Sequence, residues 1–325
     1  MSEMTASESL MTAAMGQEPD RVPVFGVFLD WAWDQLYGKD SFLVYSDDPE
    51  RLAECIIWSC KEMGADSAGA FPDVCVTFEA IAEASGLTYP PLKWKDFIPT
   101  HPHRLYNGDF IKEPIYGNPL VNNLEEAKKL KPADPYKHGR FPVILKTIEL
   151  ANKELQGQWP IGGICDAAVH VGGELMGWTQ MFMAMEKDIE LWQTVQDVVV
   201  KTSYEFAKAQ IKVGVAGFLS HSELPHKVGA KEFLNHPVWP EADHPAGLYK
   251  RIWDEFQLDT TLHACSIGPF ETGIEVWKTY LDHCHSFFMP ECGGADALAK
   301  AKEELAPATV LGNINPVDVM LHGTP

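Results

Sequence analysis

Seven short β-rich runs, nearly all separated by longer helical stretches, dictate the fold of this chain before any single residue is considered. The runs lie at 21–28, 65–71, 159–165, 216–219, 260–262, 286–291 and 308–313. Between them the spacing of apolar residues and caps predicts helices over about 47–63, 76–85, 123–130, 140–156, 172–185, 188–213, 246–257, 271–283 and 295–305. A lead-in helix over 4–16 precedes them, with Thr5 or Ser7 as its cap. Strand–helix alternation of this kind implies parallel strands joined by crossover helices. No glycine-rich nucleotide loop follows the first run, which argues against an open doubly wound sheet. The expected fold is therefore a TIM-type (β/α)8 barrel whose last strand–helix unit is absent from this sequence. Residues 1–325 form one domain, with the lead-in over 1–20 and a Pro- and aromatic-rich excursion over 87–121.

In such a barrel the C-terminal ends of the strands converge on one mouth. Asp73, Asp166, His221, Glu223, His263, Cys265 and Glu291 all follow a β-rich run and are expected there. Within Thr260–Phe270, His263 and Cys265 stand two apart, so an extended backbone sends both side chains to one face. An imidazole and a thiolate so placed are half of a tetrahedral zinc site. A buried core histidine beside an inert cysteine is the plainer alternative for an isolated His-x-Cys.

Charge and cysteine usage narrow the function further. The formal charge of −20 argues against nucleic acid and anionic membranes as partners. The seven cysteines are odd in number and lack framework spacing, as expected of free thiols in a reducing cytoplasm. The acidic N-terminal stretch has no basic region followed by an apolar core, and no apolar run reaches membrane length.

Several stretches together resemble the uroporphyrinogen decarboxylase superfamily, and within it the corrinoid-dependent methyltransferases of the methylcobalamin:coenzyme M type. They are Arg21-Val-Pro-Val24, Phe71-Pro-Asp-Val74 with Glu79-Ala-Ile-Ala-Glu-Ala-Ser-Gly86, Gly214–Pro225, His263-Ala-Cys265, Leu311-Gly-Asn-Ile-Asn-Pro316 and Gly323-Thr-Pro325. His-x-Cys is what separates the methyltransferases from the decarboxylases. The resemblance implies a zinc held by His263, Cys265 and a later cysteine that in the family lies beyond Pro325. Cys292 or Glu291 could complete the shell instead. It also implies methyl transfer between a cobalamin carried by a separate corrinoid protein and a small thiol or methoxylated compound. His221 and Glu223 are candidates for proton handling or substrate contact. Asp73 is shared with the decarboxylases and does not discriminate. Trp31, Trp33, Tyr37 and Trp178 are candidates for an apolar pocket suited to a methoxylated aromatic, although helix-spaced aromatics more often form core. The competing activity is uroporphyrinogen decarboxylation. Its substrate carries eight carboxylates and calls for several arginines at the mouth, whereas this chain has five in all and reads Leu29-Asp-Trp-Ala-Trp-Asp34 after its first run.

Overall fold

The computed structural model describes residues 4–26, 29–38, 47–70, 72, 74–87, 119–221, 245–263, 274–275, 277–282, 284–288, 294–312, 314 and 322–323. Among the described residues seven strands lie side by side in sequence order, and every neighbouring pair is parallel. They are β1 (Phe25–Gly26), β2 (Ser67–Gly69), β3 (Ile161–Ile164), β4 (Gly217–His221), β5 (Thr260–His263), β6 (Ser286–Phe288) and β7 (Thr309–Leu311). Among the described residues the sheet curls into an incomplete barrel. The central strands bury their side chains, whereas β1 and β7 are only half-buried.

The helices follow largely where the caps and periodicity put them. The lead-in α1 (Ala6–Ala14) starts at Thr5, whose hydroxyl accepts from the Glu8 amide while Glu8 reaches back to the Thr5 amide. It lies across the N-terminal end of the barrel: Ser9 donates to the Arg21 carbonyl beside β1, and Thr309 of β7 donates to the Ala13 carbonyl. α2 (Leu29–Tyr37) occupies the aromatic segment after β1, where no helix was expected. α3 (Pro49–Lys61) is capped by Asp48, whose side chain accepts from the Arg51 amide, and carries Pro49 in its first turn. α4 (Val76–Ala84), α5 (Leu124–Ala127) and α6 (Phe141–Leu155) complete the first half.

Among the described residues of the run at 21–28, the strand begins only at Phe25, since Pro23 has no N–H to give to a ladder. The helix expected over 172–185 is two: α7 (Ala168–Met176) and α8 (Trp178–Lys187). Gly177 separates them with a φ of +76°, a left-handed conformation that glycine adopts without strain. α9 (Ile189–Lys212), α10 (Pro245–Phe256) and α11 (Gly294–Glu304) follow. The 24 residues of α9 span roughly 36 Å, against about 17 Å for the five residues of β4. α9 ends at the turn that enters β4, so its N-terminal half, with α7 and α8, rises past the C-terminal ends of the strands as a helical collar.

Contacts between strands and helices fix which way each strand faces. A methyl group at Gly163 would meet the Gln210 amide of α9, and the Ser220 hydroxyl bonds the Tyr249 hydroxyl of α10, so these positions face the helical layer. By alternation and register, Ile164, Leu219, Thr261 and position 263 face the barrel interior. The floor of the interior is filled by Phe25, whose ring lies against Gly162.

Candidate functional site

His263 is the last residue of β5 and is 3% exposed. In the ladder it stands between His221 of β4 and Phe288 of β6. Two histidine positions are therefore adjacent at the mouth end of neighbouring strands, with Cα atoms about 4.8 Å apart as parallel pairing requires. Beneath His263 on the same face, the Thr261 hydroxyl lies 2.6 Å from that of Ser286, which donates to Asp259 at 2.5 Å. This polar pair ties β5 to β6 below the histidine.

Asp166, one residue past Cys165 at the end of β3, is buried at the same end of the barrel. It accepts from the Thr77 hydroxyl at 2.6 Å, and its carbonyl accepts from Ser203 of α9 at 3.0 Å. Ile164, just before it, gives its N–H to the Gln210 side chain and receives the Gln210 amide at its carbonyl.

The other expected site residues divide in two. Asp73, Glu223, Cys265, Glu291 and Cys292 lie outside the described residues, as do the side chains of His221 and Trp31. The remaining aromatics are described. Trp33 is completely buried as core between α2 and α3. Tyr37 is half-buried, bonds Glu54 and lies under the Arg51 guanidinium. Trp178 lines a cleft of about 810 Å³ on the collar, with Pro119, Met176, Met183 and Leu191. Its indole lies on Gly173, where a methyl group would sit 2.8 Å from the ring.

Sequence reading missed one cluster. His170 and Glu174, one turn apart on α7, are 1% and 0% exposed, with Nε2 3.7 Å from Oε1. The Cys75 thiol donates to the same oxygen at 3.3 Å. The i, i+4 pair of polar residues inside the apolar helix Ala-Val-His-Val-Gly-Gly-Glu-Leu-Met was the available signal.

Zinc takes imidazole nitrogen and thiolate sulfur, so the donor set of His263 with Cys265 two residues on suits it chemically. Among the described residues no three His, Cys, Asp or Glu side chains converge as a metal site.

Parallel strands in sequence order joined by crossover helices define a TIM-type barrel architecture. Residues 108–325, two-thirds of the chain, match the model of the family Uroporphyrinogen decarboxylase (URO-D), and the chain belongs to this family. It is 24% identical over 215 residues to a uroporphyrinogen decarboxylase of Geobacter metallireducens, a match covering 63% of this chain and 55% of that protein. The chain thus spans about half the length of the decarboxylases it matches. A methylcobamide:CoM methyltransferase, MtbA, of Methanosarcina acetivorans is 23% identical over all of this chain and 87% of its own length. A methyltransferase from Methanosarcina mazei has the same fold, with a TM-score of 0.68, 17% identity and coverage of 99% of this chain and 88% of that one.

Proposed function

We propose that this protein is a zinc-dependent methyltransferase that moves a methyl group between a corrinoid carried by a partner protein and a small thiol or methoxylated compound. The observation that carries this reading is the buried His263 at the mouth end of β5, on the inner face, two residues before Cys265. His263 and Cys265 would hold the metal, with a third ligand from Cys292, Glu291 or a residue beyond Pro325. Bound zinc lowers the pKa of a coordinated thiol or withdraws charge from an ether oxygen. With a thiol as acceptor, the corrinoid would supply the methyl group, and the thiol would give up its proton to a group at the mouth. His221, the register partner of His263, and Glu223 are the candidates to receive that proton, and Trp178 is a candidate contact for an aromatic methyl donor. The chain's likeness over its whole length to a methylcobamide:CoM methyltransferase supports the same reading.

The disposition of the arginines weighs against decarboxylation of a polyanionic tetrapyrrole. Arg21 pairs with the buried Asp66 at the N-terminal end of the barrel, opposite the mouth. Arg140 makes a two-pronged, nearly buried pair with Glu79. Arg51 lies over Trp33 and Tyr37, and Arg251 over Tyr204. Four of the five arginines are thus held by packing or pairing.

The test is metal analysis joined to an absorbance assay. Purified protein should carry about one zinc per chain, in line with a single mononuclear site. It should change the corrinoid spectrum in the presence of a thiol. His263→Ala should lose both while melting cooperatively, since a metal ligand at a reaction centre matters more to rate than to fold. A His263→Ala protein that transfers methyl at the wild-type rate would sink the reading.

A further inference from the structure

The buried cluster of Cys75, His170 and Glu174 has no part in the proposed metal site, and its position suggests why it is there. Cys75 is the N-cap residue of α4 and makes no side-chain capping bond. Its thiol turns instead to Glu174 on the collar helix α7. Two residues further on, Thr77 donates to Asp166 at the end of β3. The chain leaving β2 is thus tied at two points within its first helical turn, once to the collar helix α7 and once to the end of β3, both at the mouth end of the barrel. The Glu174 carboxylate accepts from the Cys75 thiol and lies 3.7 Å from the His170 imidazole, whose ring in turn stands edge-on to Trp178 at 6.3 Å between centroids. A fully buried carboxylate is costly unless neighbours compensate it, and an apolar pair would join α4 to α7 without that cost. What the polar contact adds is direction: a thiol donor and one carboxylate oxygen fix the connection in a single register, where apolar packing tolerates sliding.

We propose that Glu174 and Cys75 are positioning residues, a buried clamp that holds the β2–α4 connection in place at the barrel mouth for methyl transfer. The inference rests on the methyl-transfer reading, and the clamp itself can be tested without it. Cys75→Ala and Glu174→Leu each remove one half of the contact, whereas Cys75→Ser keeps a donor. In the two disrupting variants kcat should fall at least about tenfold with KM within about twofold, the signature of lost transition-state positioning. Cys75→Ser should stay near the wild-type kcat. Amide hydrogen exchange supplies the readout independent of activity: peptides covering 74–80 should exchange faster in Cys75→Ala and Glu174→Leu, while those covering β3–β5 keep their protection. A purely structural contact would instead raise exchange across the whole chain or lower the melting temperature, with activity per folded molecule unchanged. Either of those outcomes, wild-type kcat in Cys75→Ala, or a Cys75→Ser protein as impaired as Cys75→Ala, would overturn the proposal. If the wild-type chain transfers no methyl group, the methyl-transfer reading fails and the positioning role with it; local exchange then decides only whether the clamp exists.

Discussion

Gln196 of α9 is fully buried, and neither its Oε1 nor its Nε2 has a hydrogen-bond partner among the described residues. It lies one turn from Trp192, which packs against Gly172, and two turns from Ser203, which bonds Asp166. Its amide therefore belongs to the seam between α9 and the collar helix α7. A buried amide without partners costs on the order of 1–3 kcal/mol. Gln196→Met, close in volume and free of that penalty, should raise stability by about 1 kcal/mol in a thermal or urea melt. An unchanged or lowered midpoint would mean that the amide is satisfied by an ordered water. Gln210, about four turns on, shows the opposite case: its amide closes both polar groups of Ile164, and Gln210→Leu should destabilise by roughly 2 kcal/mol or more as the strand's N–H and carbonyl lose their partner.

Among the elements, the β5–β6 pair carries a titratable device at its N-terminal end. Asp259 accepts from the His285 backbone amide at 2.7 Å and lies 3.5 Å from the His285 ring, close enough for an ion pair but long for a hydrogen bond. The Asp259 carboxylate pushes the His285 pKa above its ordinary 6.5, against a smaller opposing effect of burial. A raised folded-state pKa contributes stability that is complete below the unfolded value and is lost as pH rises through the folded one. The melting temperature should therefore decline from pH 6.5 upward across that window, modestly because the ring is about a third exposed. Asp259→Asn keeps an acceptor for the amide and should flatten the slope. A wild-type and variant with parallel pH profiles would exclude this pair as its source. The buried thiols at the helix–strand seams behave in the same protective sense: burial pushes Cys55 and Cys60 up to about 12 and holds Cys165 and Cys284 well above the ordinary thiol value. All four should resist alkylation at pH 8 in the native state and react on unfolding, since the thiolate is the nucleophile.

On the scale of the whole molecule, net charge and the placement of the arginines set what the mouth can accept. With a formal charge of −20 and four arginines engaged in packing or pairing, an octa-anionic tetrapyrrole meets an unfavourable field. Uroporphyrinogen should be turned over far below one per second, slower than typical enzymes. Decarboxylation at an ordinary enzymatic rate would reverse the ranking of the two activities.

Strand count, order and parallel sense were legible from the sequence alone, because a β-rich run, a crossover helix and a chirality rule leave few topologies open. The cap of the lead-in helix was legible to within Thr5 or Ser7 for the same local reason, since capping chemistry is complete within four residues, and Thr5 is the one that caps. The position of His263 at a strand end was legible too, since it follows from the end of one apolar run. Only the tertiary structure decided that His221 and His263 are register partners, because register is set by how two distant strands slide against each other. It also decided that Trp33 is core, that Gly177 divides the collar into two helices, and that Cys75 meets Glu174 across 99 residues of chain. Those facts depend on packing between elements far apart in sequence, where no local pattern records which surfaces meet.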